Sequence, residues 1–180
     1  MKLREIMLLF YLASQIVTIG GVLQFWNPNL LTLSQVVGNY TNRIYFFFIV
    51  NLVGMFCLLV YENTFKDIVS MFLCFILAVS YMLLLWISED IHDSIRHKSH
   101  VVLSALAFTC VVLYILYHAI RLRDPYLGIC FALSIGLFSK IVNHTLSAIQ
   151  TGGSVEDMFM EEISILVLSV IAVIRRGGYI

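Results

Sequence analysis

The sequence has little charge and little proline for a chain of 180 residues. Charged residues make up 12% of it, about half the share in an ordinary soluble domain, whereas hydrophobic residues make up 61%. One soluble core cannot bury that much apolar surface, so an aqueous globular protein is excluded. With only 2 prolines and 10 glycines, collagen-like, low-complexity and disordered chains are excluded as well.

Motifs for catalysis and cofactor binding are also missing. The sequence contains no P-loop, no dinucleotide-binding glycine motif and no nucleophile elbow, so we predict no catalytic residue and no cofactor. The formal net charge is zero, which gives no indication of a nucleic-acid partner. The four cysteines lie inside apolar runs, where we expect small buried side chains rather than disulfides or zinc ligands. They are Cys57, Cys74, Cys110 and Cys130.

What the sequence does have is a series of six apolar runs. A membrane-spanning helix needs about 20 apolar residues, and six of them fit into this length. The runs are 6–25, 44–61, 68–87, 101–120, 126–142 and 158–174. The sixth is unusual, because its uninterrupted part is too short to span alone and must draw Glu161 and Glu162 towards the membrane. We therefore predict an all-α protein, a six-helix transmembrane bundle with short loops, as a single domain over residues 1–180.

The orientation follows from the Lys and Arg residues of the short loops. With the N-terminus in the cytosol, seven of them are cytosolic and three lie outside, while Lys140 lies near a membrane boundary. Cytosolic loops of membrane proteins carry the excess of positive charge, so we predict that both termini are cytosolic. The first run follows Lys2 and Arg4 as in a signal peptide, but no clear cleavage site follows, so we expect a retained helix.

Polar residues collect on the other side of the predicted bundle, which would be luminal or extracellular. We call this set the outer polar cluster; its members are Glu89, Asp93, His97, His100, Lys140, His144, Glu161 and Glu162. Residues 88–100 are either a solvated, salt-bridged loop, a pH-responsive latch or a metal-binding face. No recognised metal-binding spacing supports the last alternative, and we assign no metal ligand.

Other polar residues have simpler interpretations. Glu161 or Glu162 is expected either to pair with Lys140 or a nearby histidine, which lowers the cost of placing the charge near lipid, or to snorkel to the headgroups. Gln15, Asn51 and His118 are expected to form interhelical hydrogen bonds or to lie at the membrane interface. Asn39 lies in an Asn-Tyr-Thr sequon and is a candidate glycosylation site.

The whole-chain layout resembles the damage-regulated autophagy modulator family and its relatives, which include lipid-remodelling and growth-factor-receptor-activating members. The similarity lies in the hairpin from Arg43 through Gly54 to Tyr61, in His100 before an alanine- and aromatic-rich fourth helix at 101–114, and in the acidic start of helix six. The resemblance implies a protein of the plasma membrane or of endomembranes (lysosome, endosome or endoplasmic reticulum). It also implies an effect on lipid handling or autophagy without chemistry of its own.

Three functional hypotheses follow. The first is a non-enzymatic multi-pass membrane protein that affects lipid handling or membrane trafficking, with membrane lipid, a membrane protein or a second copy as partner and the outer polar cluster as recognition surface. The second is a small oligomeric channel or transporter, which a convergence of Gln15, Asn51 and Lys140 would favour. The third is a membrane-embedded lipid hydrolase, which a pocket containing Ser, His and a carboxylate would favour.

Overall fold

A computed structural model describes residues 2–25, 41–87, 94–151 and 159–179. These residues form six α-helices, with described turns at 64–67 and 123–124, which confirms the all-α prediction. They are α1 (Leu3–Phe25), α2 (Thr41–Asn63), α3 (Ile68–Trp86), α4 (Ser94–Leu122), α5 (Pro125–Thr151) and α6 (Phe159–Arg176).

The helices are longer than the apolar runs that identify them. α4 begins at Ser94, well before the apolar run at 101, and α5 continues to Thr151, beyond the end of its run at 142. An apolar run marks only the part of a helix that faces lipid or core. Backbone hydrogen bonding continues through polar residues until proline, glycine or a cap ends the helix.

Three of the helices are long and apolar enough to cross a membrane. These spans are Leu3–Gln24, Lys98–Leu122 and Pro125–His144. Two shorter apolar helices, Ile49–Asn63 and Ile68–Leu84, accompany them. A helix of a soluble protein rarely contains an apolar segment of this length, so three such helices indicate a membrane protein.

Each helix packs against the next one along the chain, and α6 closes the series by contacting α1 as well as α4. The buried core contains large apolar side chains from every helix, among them Tyr11, Leu58, Leu77, Ile115 and Ile165. The contact between α1 and α6 is the smallest of those that close the bundle, whereas α1 and α2 share the most extensive one.

The α1–α2 contact is close because it uses a glycine. A Cβ atom on Gly54 would overlap the hydroxyl of Ser14 and would lie 2.7 Å from the Ser14 Cβ. The small residue lets the two backbones approach, as in many membrane helix pairs. One turn away, the Gln15 amide donates a 2.5 Å hydrogen bond to the Asn51 side-chain oxygen, so the interhelical bond expected of these residues is confirmed.

The turn residues place both chain ends at one end of the bundle, which we call the terminal end. Arg4 near the start of α1 and Arg176 at the end of α6 both lie over the ring of Phe65, in the α2–α3 turn. Arg175 reaches Asp124, in the α4–α5 turn. The terminal end therefore joins α1, α6 and two turns, and the opposite end holds the start of α4 and the start of α6.

Candidate functional site

Among the described residues, a dense group of polar side chains, most of them buried, lies at the terminal end. We call it the terminal cluster; its members are Glu62, Asp67, Ser70, Tyr114, Tyr117, His118, Arg121 and Arg176. They come from α2, α3, α4 and α6 and from the turn between α2 and α3. Sequence analysis did not select this cluster as a site.

One face of α4 supplies half of the cluster. Tyr114, Tyr117, His118 and Arg121 follow the i, i+3, i+4, i+7 spacing that places side chains on one side of an α-helix. The His118 ring packs edge-on against its two tyrosine neighbours, with ring centroids 4.5 and 5.1 Å apart. The repeat thus makes a polar stripe that faces α2 and α3.

Asp67 occupies the N-cap position of α3. Its backbone is extended, and its carboxylate accepts a 3.4 Å hydrogen bond from the Ser70 amide. The same carboxylate accepts a 2.8 Å bond from the Tyr117 hydroxyl and forms an ion pair with Arg121. Arg176 Nη2 lies 3.6 Å away on the other side. Asp67 therefore both caps α3 and interacts with two arginines, Arg121 and Arg176.

The pKa of Asp67 shows which of these influences is stronger. Burial raises the pKa of this carboxyl group, because a charge is less stable away from water. The hydrogen bonds from Tyr117 and Ser70 and the positive charge of Arg121 lower it, and together they prevail. Asp67 is therefore held as a carboxylate, with its pKa below the ordinary value of 3.8.

Glu62 is the second buried carboxylate, in the last turn of α2. It is fully buried, and Oε1 accepts a 2.6 Å hydrogen bond from the Tyr114 hydroxyl. Oε2 has no hydrogen-bond partner; Arg176 Nε lies 3.8 Å from it, too far for a hydrogen bond but close enough for an ion pair. Two buried carboxylates thus face two arginines, Arg121 and Arg176, so the formal charges of the cluster balance.

His118 completes the cluster. It is fully buried, and Nε2 lies 2.8 Å from the Ser70 hydroxyl oxygen, an interhelical hydrogen bond that confirms the expectation for this residue. Its Nδ1 has no hydrogen-bond partner. The ring contacts no carboxylate in a hydrogen bond, which does not resemble a Ser-His-Asp catalytic set.

A second ion pair lies beside the terminal cluster. Asp124 caps α5 by accepting hydrogen bonds from the Tyr126 and Leu127 amides, at 2.9 and 3.4 Å. Arg175 Nε donates to its other carboxylate oxygen at 2.6 Å. The hydrogen bond from Arg175, aided by the two amides, lowers the pKa of Asp124 although partial burial raises it. The helix begins directly after this cap, at Pro125.

The outer polar cluster is described only in part. Glu89, Asp93 and the candidate glycosylation site Asn39 lie outside the described residues, and the His97 side chain does as well. His100 is buried, with Nδ1 at 2.8 Å from the Ile87 carbonyl oxygen. Whether residues 88–100 form a latch, a metal-binding face or a solvated loop therefore stays a prediction.

The remaining members of that cluster are Lys140, His144, Glu161 and Glu162, and they lie where α5 meets the start of α6. The expected ion pair is present: Lys140 of α5 bonds the carboxylate of Glu161 in the first turn of α6. Lys140 keeps 53% of its side chain exposed. The adjacent Glu162 turns inwards and is buried. His144 lies close enough to Glu161 for an electrostatic interaction with its carboxyl group.

Two arrangements that would have favoured other hypotheses do not form among the described residues. Gln15 bonds Asn51, but Lys140 turns to Glu161 instead of joining them. In the same part of the chain no group of three or more His, Cys, Asp or Glu side chains could hold a metal ion. All four cysteines are free thiols, and three of them are buried.

The terminal cluster escaped sequence analysis because its residues lie at the ends of apolar runs. Glu62 and Asp67 bound the second loop, and Arg121 precedes the fourth, where charged residues are normally solvated. The available signal was the spacing of Tyr114, His118 and Arg121 at multiples of one helical turn. Comparison with known proteins adds no further guide, since no family model, curated protein or solved structure matches this chain.

Proposed function

We propose that this chain is a six-span, non-enzymatic membrane protein that affects lipid handling or membrane trafficking, including autophagy. In this proposal both termini are cytosolic and the protein resides in endomembranes or the plasma membrane. The outer polar cluster is its recognition surface for membrane lipid, a membrane protein or a second copy.

The observation that carries the proposal is the inverted distribution of side chains. Large apolar residues are exposed on the helices, such as Ile16 at 73%, Phe72 and Ile129. Glu62, His118 and Gln15 are almost completely buried. A helix bundle in water places these classes the other way round, whereas lipid solvates apolar side chains and excludes unpaired polar ones.

The sixth span has the length that the proposal needs. α6 has 18 residues, which at about 1.5 Å per residue gives about 27 Å, close to the ~30 Å apolar core of a bilayer. Its two ends carry charges that pair within the bundle, Glu161 with Lys140 and Arg175 with Asp124. These pairs support a span that begins and ends at the two membrane boundaries.

The distribution of basic residues supports the orientation. The terminal end carries the arginines of both chain ends and of the α4–α5 turn, together with Lys66 of the α2–α3 turn. Two of them, Arg121 and Arg176, neutralise buried carboxylates, so the exposed excess comes from Lys2, Lys66 and Arg123. The positive-inside tendency of short loops then favours a cytosolic terminal end.

The partners of the buried ionisable groups support the non-enzymatic part of the proposal. Tyr114 and Tyr117 donate to the carboxylates, and both carboxylates face arginines. Groups held in this way stabilise the bundle, and none of them is positioned as an activated nucleophile.

The proposal is tested in cells that lack the protein. We expect altered lipid composition by mass spectrometry or altered autophagic flux, restored by the wild-type chain. A Lys140→Ala, His144→Ala variant should reach the same membrane but restore less, because it removes an exposed and a half-buried polar group of the outer polar cluster. Unchanged lipids and flux would overturn the proposal, as would ion or solute flux catalysed by the purified chain in liposomes.

A further inference from the structure

We propose that the seam where the start of α1 meets the end of α6, at the terminal end, binds the phosphate of an anionic phospholipid through Arg4, Tyr61 and Arg176. The proposal deepens the lipid-handling function proposed above and rests on it for its biological meaning. It stands structurally on a set of buried hydrogen-bond donors that have no partner among the described residues.

Three donors with unused hydrogen-bonding capacity meet at this place. The Tyr61 hydroxyl, Arg4 Nε and Arg176 Nε are buried, and none of them has a hydrogen-bond partner in the part of the chain that the structure describes. Tyr61 is fully buried, and a Cβ on Gly177, the residue after Arg176, would lie 2.6 Å from its hydroxyl. Buried donors of this kind are rare in folded proteins, because each one costs free energy when it leaves water unpaired.

One aromatic ring holds the two arginines together. The guanidinium carbon of Arg176 lies 3.9 Å from the centroid of Phe65, and that of Arg4 lies 5.5 Å from it. Tyr61 packs edge-on against the same ring, with centroids 5.2 Å apart. Cation–π contact fixes both positive charges within reach of one small anion placed beside the tyrosine hydroxyl.

The neighbouring acceptor does not satisfy these donors. Glu62 Oε2 lies 3.8 Å from Arg176 Nε and itself has no hydrogen-bond partner. Arg176 forms ion pairs with Glu62 and Asp67. Among the described residues, neither of these carboxylates forms an ion pair with Arg4. Two guanidinium groups thus meet at Phe65, and the local charge is positive at Arg4.

A phosphate group matches the three donors. Its oxygens accept hydrogen bonds from several directions, and arginine is the side chain best suited to hold it. A single carboxylate has fewer oxygens to share among donors from three different segments. The chemistry of the donor set therefore favours a phosphate anion over a carboxylate.

The position favours a phosphate that belongs to a lipid. α1 and α6 contact each other less extensively than the other helix pairs that touch, so a ligand that enters between them disrupts the least packing. Above this seam, α1 exposes Leu9 and Phe10, and α6 exposes Val167. Acyl chains would lie along these side chains, and the phosphate would reach the level of Arg4, where basic pockets between helices bind anionic headgroups.

The experiment uses the full chain, purified in neutral detergent, and counts bound lipid by native mass spectrometry. Phosphatidic acid, phosphatidylcholine and inorganic phosphate are titrated separately. We expect phosphatidic acid to bind at least about tenfold more tightly than phosphatidylcholine, the effect of about one charge-assisted hydrogen bond. Inorganic phosphate alone should bind more weakly than phosphatidic acid, because it lacks the acyl chains.

Three variants locate the binding. Arg4→Gln and Tyr61→Phe each remove one donor and keep most of the side-chain volume, so each should weaken phosphatidic acid binding about tenfold. Arg123→Gln is the matched control: it removes one positive charge from an exposed turn residue at the same end and should change binding less than twofold. Arg176→Gln is not used alone, because this side chain also pairs with Glu62 and Asp67.

The outcomes that overturn the proposal are distinct. Equal binding of phosphatidic acid and phosphatidylcholine, or equal losses in Arg4→Gln and Arg123→Gln, would exclude a specific phosphate site. Inorganic phosphate binding as tightly as phosphatidic acid would exclude a lipid as the source. Any of these binding results would refute the phosphate site without refuting the proposed function. Unchanged lipids and autophagic flux in cells would refute the proposed function without changing the measured binding.

Discussion

At the scale of single residues, the main feature is a pair of buried carboxylates stabilised by tyrosine hydroxyls and arginines. Asp67 receives a hydrogen bond from Tyr117, and Glu62 receives one from Tyr114. A buried ion pair adds little net stability over a well-packed apolar pair, but removing one partner is costly because it strands the other charge. The cluster should therefore tolerate single substitutions poorly.

Asp67→Asn should lower the free energy of unfolding by about 1–3 kcal/mol, because the charge-assisted hydrogen bonds that Tyr117 and Ser70 donate to the carboxylate are lost. Asparagine still caps a helix, so the substitution removes charge rather than the cap. The measurement is thermal unfolding of the purified protein in detergent. Lys66→Gln, one residue away and exposed, is the control; an equal effect of both would show that the Asp67 charge is not stabilising.

Tyr114→Phe removes the hydroxyl that donates to Glu62 but keeps the ring. We expect a loss of about 1–3 kcal/mol, because a buried carboxylate oxygen loses its partner. Tyr126→Phe is a matched control, since Tyr126 is exposed and its ring packs under Arg175. The two variants should separate clearly in thermal unfolding; similar melting temperatures would contradict a stabilising Tyr114–Glu62 bond.

The lowered pKa values predict acid sensitivity. Asp67 and Asp124 have folded-state pKa values below the ordinary value of 3.8, so the folded state binds their protons more weakly than the unfolded state does. Their contribution to stability is fully present above about pH 5 and is lost as the pH falls through the folded pKa values. Melting temperatures from pH 6 to pH 3 should fall for wild type, and less steeply for Asp67→Asn. Parallel curves would refute this assignment.

At the scale of helices, α6 is held in the bundle by ion pairs at its two ends. Sequence analysis identified its short apolar core and its need for a cation, and Lys140 of α5 provides that cation. It did not distinguish Glu161 from Glu162, because adjacent residues on a helix point about 100° apart and only packing decides which one faces inwards. Glu162 is the one that is buried.

Lys140→Leu should destabilise the protein by up to about 1 kcal/mol, the range of exposed ion pairs. Glu161 would then lie partly buried without its cation. The double variant Lys140→Leu, Glu161→Leu should recover stability, because no unpaired carboxylate remains. A double-mutant cycle in detergent measures the coupling. A coupling energy near zero would mean that the pair contributes nothing.

The helices could be predicted from the sequence, whereas the terminal cluster could not, and the reason is physical. Apolar runs follow directly from composition, so the number and order of helices could be deduced from the sequence. Which charged residues leave solvent depends on how helix ends meet in three dimensions. Glu62 and Arg176 are far apart in the sequence, and only the closure of α6 against the other helices brings them together.

At the scale of the whole molecule, the terminal end should face the cytosol. Arg123→Cys at that end and Lys98→Cys at the opposite end give a matched pair of exposed sites. In sealed cells or vesicles, a membrane-impermeant thiol reagent should label them from opposite sides, with the wild-type chain as background for its own four thiols. Labelling of both sites from the same side would exclude the six-span arrangement.

The glycine contact between α1 and α2 has a consequence for how this protein can vary. Since any side chain at position 54 would collide with Ser14, variants at this position should be depleted in a selection for folded protein. Gly20, Gly128 and Gly136 have open space around them and should accept alanine. The reciprocal exchange Ser14→Gly, Gly54→Ala moves the missing side chain to the other helix. Among related sequences, the two positions should therefore change together, with a small residue always retained on one of the two helices.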